Sequence, residues 1–334
     1  LSRVRQLSID DYVGGVLGGN RGILARTITL IESNVPAHQE MAQEVLRQLQ
    51  QRTVVESIRV GITGPPGAGK STFIESFGCY LCGEGRRVAV LAIDPSSSLS
   101  FGSILGDKTR MERLSREPNC YIRPSPAGTT LGGVARKTRE TIAVCEAFGY
   151  DTILIETVGV GQSETTVRSM VDFFLLLLLT GAGDELQGIK KGIVELADAL
   201  LITKADGPNA IKAEAMRIEM ERVLHYLTPT TRGWHPKALT CSSLHEKGVD
   251  DVWNTIAAFR QATVQSGFFQ QRRRQQTVDW LRTMVHEHLE EMFYRNPEVQ
   301  SALPGIENQV AGNQLPVSAA VKQLFSLFKP EPQA

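Results

Sequence analysis

The sequence predicts an α/β fold in which a mostly parallel sheet is covered by helices on both faces, with helical extensions at the N- and C-terminal ends. Three observations carry that prediction. Between residues 58 and 265 short apolar runs alternate with amphipathic stretches, and the runs are apolar throughout, as strands buried on both faces must be. Before residue 53 and beyond residue 265 only helical periodicity remains. A glycine-rich turn, Gly64-Pro65-Pro66-Gly67-Ala68-Gly69-Lys70-Ser71-Thr72, joins the first apolar run to the first amphipathic stretch. The expected organisation is a helical extension over 1–52, a central domain over 53–265 and a helical arm over 266–334.

Taken in order, the region from Ser8 to Arg52 carries two helical stripes, one through Ile23, Leu24, Ile28 and Ile31 and one through Met41, Val45, Leu46 and Leu49, parted by Pro36. Strands are expected at 58–63, 87–93, 120–124, 151–156, 172–179, 198–203 and 237–241. A helix over Phe73 to Leu81 follows the first of them. In the arm, Val278, Leu281, Val285 and Leu289 mark one long helix. The tail from Asn296 is rich in Pro, Asn and Gln until a last helix near Val317–Phe328.

Bulk properties narrow the function classes. The 334 residues carry 36 basic and 36 acidic side chains, so no electrostatic case exists for nucleic acid. The basic run Gln270-Gln271-Arg272-Arg273-Arg274-Gln275-Gln276 has no interleaved aromatic and reads as a solvated helix face. The longest apolar run, Phe173 to Leu179, falls far short of the roughly 20 residues that span a bilayer. No membrane segment or secretory leader is legible. Five scattered cysteines without framework spacing point to a reducing, cytoplasmic setting. Cys79-x-x-Cys82 lies on a helix without a second Cys/His pair nearby and reads as packing. His286 and His288 are two apart on a helix and face different ways, against a metal site.

The chemistry begins at the glycine-rich turn, which fits the phosphate-loop pattern G-x-x-x-x-G-K-[ST] between a strand and a helix. Its backbone N–H groups converge on a polyphosphate at a helix N-terminus, Lys70 reaches the β- and γ-phosphates, and the Ser71 hydroxyl serves Mg²⁺. This makes the fold a P-loop NTPase. Glu156-Thr157-Val158-Gly159 closes the 151–156 strand: Glu156 supplies a carboxylate near the metal, and Gly159 allows a backbone N–H to approach the γ-phosphate. Asp94 and Asp107 sit in a loop placed to fold over that phosphate, as metal ligands, directly or through water, or as positioners of the attacking water.

Base selection comes from Thr203-Lys204-Ala205-Asp206, similar to N-K-x-D. A carboxylate at Asp206 accepts both hydrogens of guanine's N1 and N2, whereas adenine offers an acceptor at N1. Thr203 replaces the usual Asn, which is expected to weaken both the contact to guanine N7 and the tie to the phosphate loop. Ser242-Ser243-Leu244 stands where a backbone N–H reaches guanine O6, with Ser243 in place of Ala. The order of these elements favours GTP over ATP. The loop from Thr180 to Gly192 offers Lys190 as a cation for transition-state charge.

These residues resemble the ArgK/MeaB family of methylmalonyl-CoA mutase-associated GTPases, within the metal- and cofactor-chaperone group of P-loop GTPases. An older label for the family is LAO/AO transport system kinase. The resemblance rests on Gly64–Thr72, Asp94-Pro95-Ser96-Ser97, the run from Ser103 to Met111, the run from Glu156 to Glu164, and the run from Gly181 to Gly192. It covers nearly the whole chain. It implies a homodimer, with GTP hydrolysis slow alone and stimulated by a partner. That partner is a B12-dependent methylmalonyl-CoA mutase, whose adenosylcobalamin loading the GTPase gates and which it protects. Two other readings follow from the same group. A kinase of periplasmic lysine/arginine/ornithine-binding proteins would need an acceptor site that no motif supplies, and a metallochaperone would need Cys/His ligands that are not evident.

Overall fold

The computed structural model describes residues 7–52, 56–93, 111–124, 131–157, 163–181 and 191–328. The chain forms two compact units, Leu1–Arg273 and Arg274–Ala334. In the first, β1 (Ile58–Thr63), β2 (Val88–Ile93), β3 (Cys120–Arg123), β4 (Thr152–Thr157), β5 (Phe173–Leu178), β6 (Ala199–Ile202) and β7 (Lys237–Thr240) make one sheet in the order β3-β2-β4-β1-β5-β6-β7. Every neighbouring pair is parallel. All seven strands lie within one residue of the predicted ranges.

Alternate residues of each strand enter different cores, which is why the runs are apolar without a break. Phe174, Leu176 and Leu178 pack on one face with α1 (Ile9–Leu17), α2 (Arg21–Glu32), α3 (Pro36–Arg52), α6 (Leu131–Phe148), α7 (Ser163–Arg168), α8 (Lys191–Leu196) and α9 (Ala210–Tyr226). Phe173, Leu175 and Leu177 pack on the other with α4 (Lys70–Gly83), α5 (Glu112–Ser115) and α10 (Val249–Gln265). There Phe259 meets Phe173 and Trp234 edge to face.

The N-terminal region holds three helices where the sequence indicated two. Ser8 and Asp11 form a capping box that starts α1, and Asn20 caps α2 through the N–H groups of Gly22 and Ile23. The buried Leu24, Ile28, Val45 and Leu49 lay these helices on α6, and an ion pair between Arg123 and Glu32 fastens α2 to β3. Cys79 and Cys82 pack against the core as expected; burial raises the Cys79 thiol to about 11, whereas the side-chain hydrogen bond with Cys120 lowers that of Cys82. Among the described residues no group of three or more His, Cys, Asp or Glu is placed to hold a metal, and no helix is long and apolar enough to cross a membrane.

At the amino ends of the strands an aspartate precedes each of β4, β5 and β6 and accepts a backbone N–H. Asp151 takes that of Arg87 at 3.2 Å, Asp172 that of Arg59 at 2.8 Å and Asp198 that of Phe174 at 3.0 Å. Asp172 and Asp198 also correct the reading of the basic run. Arg272 and Arg273, on the first turns of α11 (Phe268–Arg295), do not face solvent. Arg273 makes paired bonds of 2.7 and 2.6 Å to the Asp172 carboxylate, and Arg272 donates to the Asp172 carbonyl at 2.6 Å. Only acids distant in sequence explain why these two cations are drawn in; the neighbouring Arg274 is exposed.

The second unit contains the remainder of α11, α12 (Pro297–Ala311) and α13 (Val317–Leu327). α12 lies in the tail that the sequence left irregular. Asn296 caps it through the N–H groups of Glu298 and Val299, Pro297 occupies its first turn, and Pro304 sits inside it. The Phe293 ring packs tilted against those of Phe325 and Phe328 within this unit.

Candidate nucleotide site

The glycine-rich turn lies at the carboxyl end of β1, in the middle of the sheet, where strand order reverses and open α/β sheets bind ligands. Gly64 has φ 150°, and a Cβ there would come within 2.5 Å of the Leu177 carbonyl oxygen. Only glycine lets the chain leave β1 so close to β5. Gly69 then starts α4 in the left-handed region.

Lys70 folds back over the turn, donating to the carbonyl oxygens of Gly64 at 2.7 Å and Pro65 at 3.1 Å. Burial lowers its pKa, while the carboxylates of Glu156 and Glu164 pull it upward. Ser71 donates to Glu156 Oε1 at 3.0 Å, joining the first turn of α4 to the end of β4. Glu156 is 6% exposed and sits between Ile62 of β1 and Ala92 of β2 in the sheet register. The Thr157 hydroxyl donates to that of Thr63 at 2.8 Å, tying β4 to β1 beneath the turn. Pro65, Gly67 and Ala68 belong to the same turn, whose Pro66 and Thr72 are exposed.

The base-side residues converge on the same edge. Thr203 is buried and its hydroxyl donates to the Ala68 carbonyl at 2.8 Å and lies 3.1 Å from that of Leu178. The tie to the phosphate loop expected to weaken is therefore present, because the loop approaches closely enough for the shorter side chain. Lys204 takes a left-handed backbone conformation, φ 55°, and Ala205 N–H bonds the Cys241 carbonyl, which brings the loop after β6 beside the loop after β7. Ser242 donates to Asp206 Oδ2 at 2.6 Å. Ser243 stands next to it and Leu244 is exposed. The structure thus gathers Gly64 to Thr72, Glu156, Thr203 to Asp206 and Ser242 to Leu244. Asp94, Asp107, Gly159 and Lys190 lie outside the described residues.

Two contributors were not singled out in the sequence. Glu164, in the first turn of α7, is buried and acts on Lys70. It comes close because Gly61 of β1 has no side chain: a Cβ there would meet Val167 and Phe174 at 2.9 Å, so α7 could not settle on β1. Asn209 accepts from Thr180 at 2.5 Å and donates to the Lys204 carbonyl at 2.7 Å, bracing the base-side loop. An acid in a helix following Glu156, and an Asn closely after Asp206, were the available signals.

What this arrangement offers is a lysine, a hydroxyl and a carboxylate around a backbone turn, with a second carboxylate, Asp206, held by Ser242 in the neighbouring loop. Comparison with known proteins agrees with it. The family model described as methylmalonyl Co-A mutase-associated GTPase MeaB matches residues 24–298. A Caulobacter vibrioides relative is 51% identical over 322 residues, covering 96% of this chain and 98% of its own length. The Escherichia coli GTPase ArgK is 42% identical over 326 residues, covering 98% of each. A crystal structure of a LAO/AO transport system kinase superposes with a TM-score of 0.78 at 37% identity, covering 97% of this chain and 99% of that one.

Proposed function

The chain belongs to the MeaB family of methylmalonyl-CoA mutase-associated GTPases, it is a GTPase, and from that premise we propose that it times the loading and protection of a B12-dependent methylmalonyl-CoA mutase. The observation that carries the switch reading is the continuous path from phosphate loop to base loop: Lys70 on Gly64 and Pro65, Ser71 on Glu156, Thr203 on Ala68, and Ser242 on Asp206. Nucleotide bound along this path takes over the Lys70 contacts, while the Thr203 and Ser242 contacts keep the two loops at a fixed spacing.

In the proposed reaction, water attacks the γ-phosphorus, the bond to the β–γ bridging oxygen breaks, and GDP and phosphate leave. Lys70 exchanges its two carbonyl acceptors for phosphate oxygens. Asp206 accepts guanine's N1 and N2 hydrogens, and Ser242 holds its carboxylate in position. Ser71 and Glu156 are hard oxygen donors already in contact, a pair that fits Mg²⁺, directly or through water. Bound there, the ion would supply charge neutralisation to the phosphates. Asp94, Asp107 and Lys190 complete the proposal as loop residues acting on water, metal and developing charge.

Homodimer formation through the C-terminal arm belongs to the same proposal. Val278, Leu281, Val285 and Leu289 lie along α11 with exposures of 42, 63, 47 and 54%, an apolar stripe suited to a second copy. Five cysteines without a disulfide fit a cytoplasmic setting. GTP turnover measured with and without methylmalonyl-CoA mutase tests the partner: stimulation is expected, and an unchanged rate with a mutase that binds its cofactor normally would remove it.

A further inference from the structure

The short helix α7 rests on β1 and is held by an ion pair at its far end. Val167 packs on Gly61 of β1, the strand that runs into the phosphate loop, and the buried Glu164 at the start of the helix carries a negative charge that favours the Lys70 ammonium. At its end Arg168 meets the buried Asp198 carboxylate, Nη1 to Oδ2 at 3.2 Å and Nη2 to Oδ1 at 3.4 Å. Six helical residues span about 9 Å, so a shift at one end is felt at the other. Asp198 does not serve Arg168 alone. Arg272 of α11 approaches the same Oδ2 at 3.7 Å and also donates to Thr231, whose hydroxyl donates in turn to Asp198 Oδ1 at 2.5 Å. The Trp234 indole N–H closes the group on the Asp198 carbonyl at 2.9 Å.

Two guanidinium groups thus share one carboxylate that is 1% exposed. Burial, and after it the charge of Arg168, pull the Arg272 pKa down to about 10, still protonated at neutral pH. The Asp172 carbonyl and carboxylate supply the remaining balance. A buried acid with two claimants is sensitive to small displacements of either, because neither cation has water to fall back on. Beyond this group α11 continues past Arg273 as the first helix of the C-terminal unit.

We propose that Asp198 is a positioning residue of the GTPase reaction: it anchors α7 through Arg168, shares that anchorage with Arg272, and so couples the phosphate loop to the seating of α11. The proposal rests on reading α7 as a helix that responds to nucleotide. Coupling of this kind is reciprocal, so loosening Arg272 also alters the site that α7 borders.

Amide hydrogen exchange on the full chain with GDP and with a non-hydrolysable GTP analogue tests it, for the unaltered protein, Arg168→Lys and Arg272→Lys. These variants keep the charge and lose the forked geometry, and avoid the folding failure that Asp198→Asn invites. In the unaltered protein, exchange of residues 163–168 and 271–276 is expected to differ between the two nucleotides by about tenfold, the scale of one charge-assisted hydrogen bond. Arg168→Lys should reduce the difference at 271–276 to less than about twofold while that at the start of α7 persists. Arg272→Lys should change kcat for GTP with KM nearly unaltered, the rate being counted per folded active site from nucleotide-binding stoichiometry, so that a smaller folded fraction is not read as slower turnover. A nucleotide response at 163–168 with none at 271–276, or one at 271–276 that survives Arg168→Lys, overturns the coupling and leaves α7 as a nucleotide-responsive helix. No response at either segment overturns both.

Discussion

The Thr203 hydroxyl donates to the Ala68 carbonyl oxygen across 135 residues of sequence, and the same oxygen atom reaches the Leu178 carbonyl. One buried threonine therefore holds the loop after β6, proposed to recognise the base, to the glycine-rich turn and to the end of β5. Thr203→Val preserves shape and removes the donor. It is expected to cost about 1–3 kcal/mol of stability and to weaken GTP binding roughly tenfold, because the two loops no longer share a fixed spacing. Calorimetric titration with GTP measures it; unchanged affinity would show the tie to be idle.

Asp206 is expected to set base choice. Asp206→Asn replaces an acceptor by a donor, so preference should move from guanosine toward xanthosine triphosphate, whose C2 position inverts the pattern. The GTP affinity lost should be on the order of 10²-fold or more, since a mismatched buried polar pair is left behind. Competition between the two triphosphates reads the shift directly, and retained GTP preference would place the base pocket elsewhere.

Glu156→Gln keeps the shape of the side chain that accepts from Ser71 and removes its charge. Turnover is expected to fall about 10²-fold or more while GDP affinity changes little, with a higher Mg²⁺ concentration needed for half-maximal rate. Steady-state kinetics across a magnesium series provide the check. A rate equal to that of the unaltered protein would exclude Glu156 from the metal side.

Burial depresses the Lys70 pKa from 10.5, and polyphosphate charge raises it again. GTP binding should therefore take up a proton as pH nears the depressed value, and affinity should decline as pH rises through it. Stability runs the other way. A lysine whose folded pKa is lowered destabilises the fold at pH values below that pKa, and the penalty fades as pH climbs from there toward 10.5. Titrations over the alkaline range below pH 10.5, in buffers of different ionisation enthalpy, detect the uptake, and Lys70→Ala should lose both the uptake and triphosphate binding. Absence of uptake in the unaltered protein would contradict the assignment.

Arg273 and Arg274 are adjacent and should behave very differently. Arg273→Leu leaves the Asp172 carboxylate, 1% exposed, without its forked partner, and is expected to cost about 3 kcal/mol. Arg274→Leu, at an exposed position, should stay within about 0.5 kcal/mol. Urea unfolding midpoints compare them; equal effects would mean that the Asp172 contact contributes little.

The strands were legible because burial on both faces leaves an unbroken apolar run, a pattern independent of what packs against it. The phosphate loop and the residues around Asp206 were legible because their chemistry is contiguous in sequence. Glu164 was not, since its approach to Lys70 depends on how α7 settles over Gly61. Arg272 and Arg273 read as solvated because their partners, Asp198 and Asp172, lie far back along the chain and only the folded sheet brings them to α11. The helix α12 was hidden by Pro304 and its Asn- and Gln-rich flanks; the cap at Asn296 was the available clue.

The three aspartates at the amino ends of β4, β5 and β6 also impose an order on assembly. Two of them await arginines that are synthesised last in the first unit, with Asp172 and Arg273 separated by 101 positions. Until those arginines arrive, Asp172 satisfies a backbone amide without its forked counter-charge, and Asp198 holds only that of Arg168. The first unit thus completes itself with the opening turns of the very helix that begins the second, and a chain that stalls before residue 272 holds a sheet that is built yet not sealed.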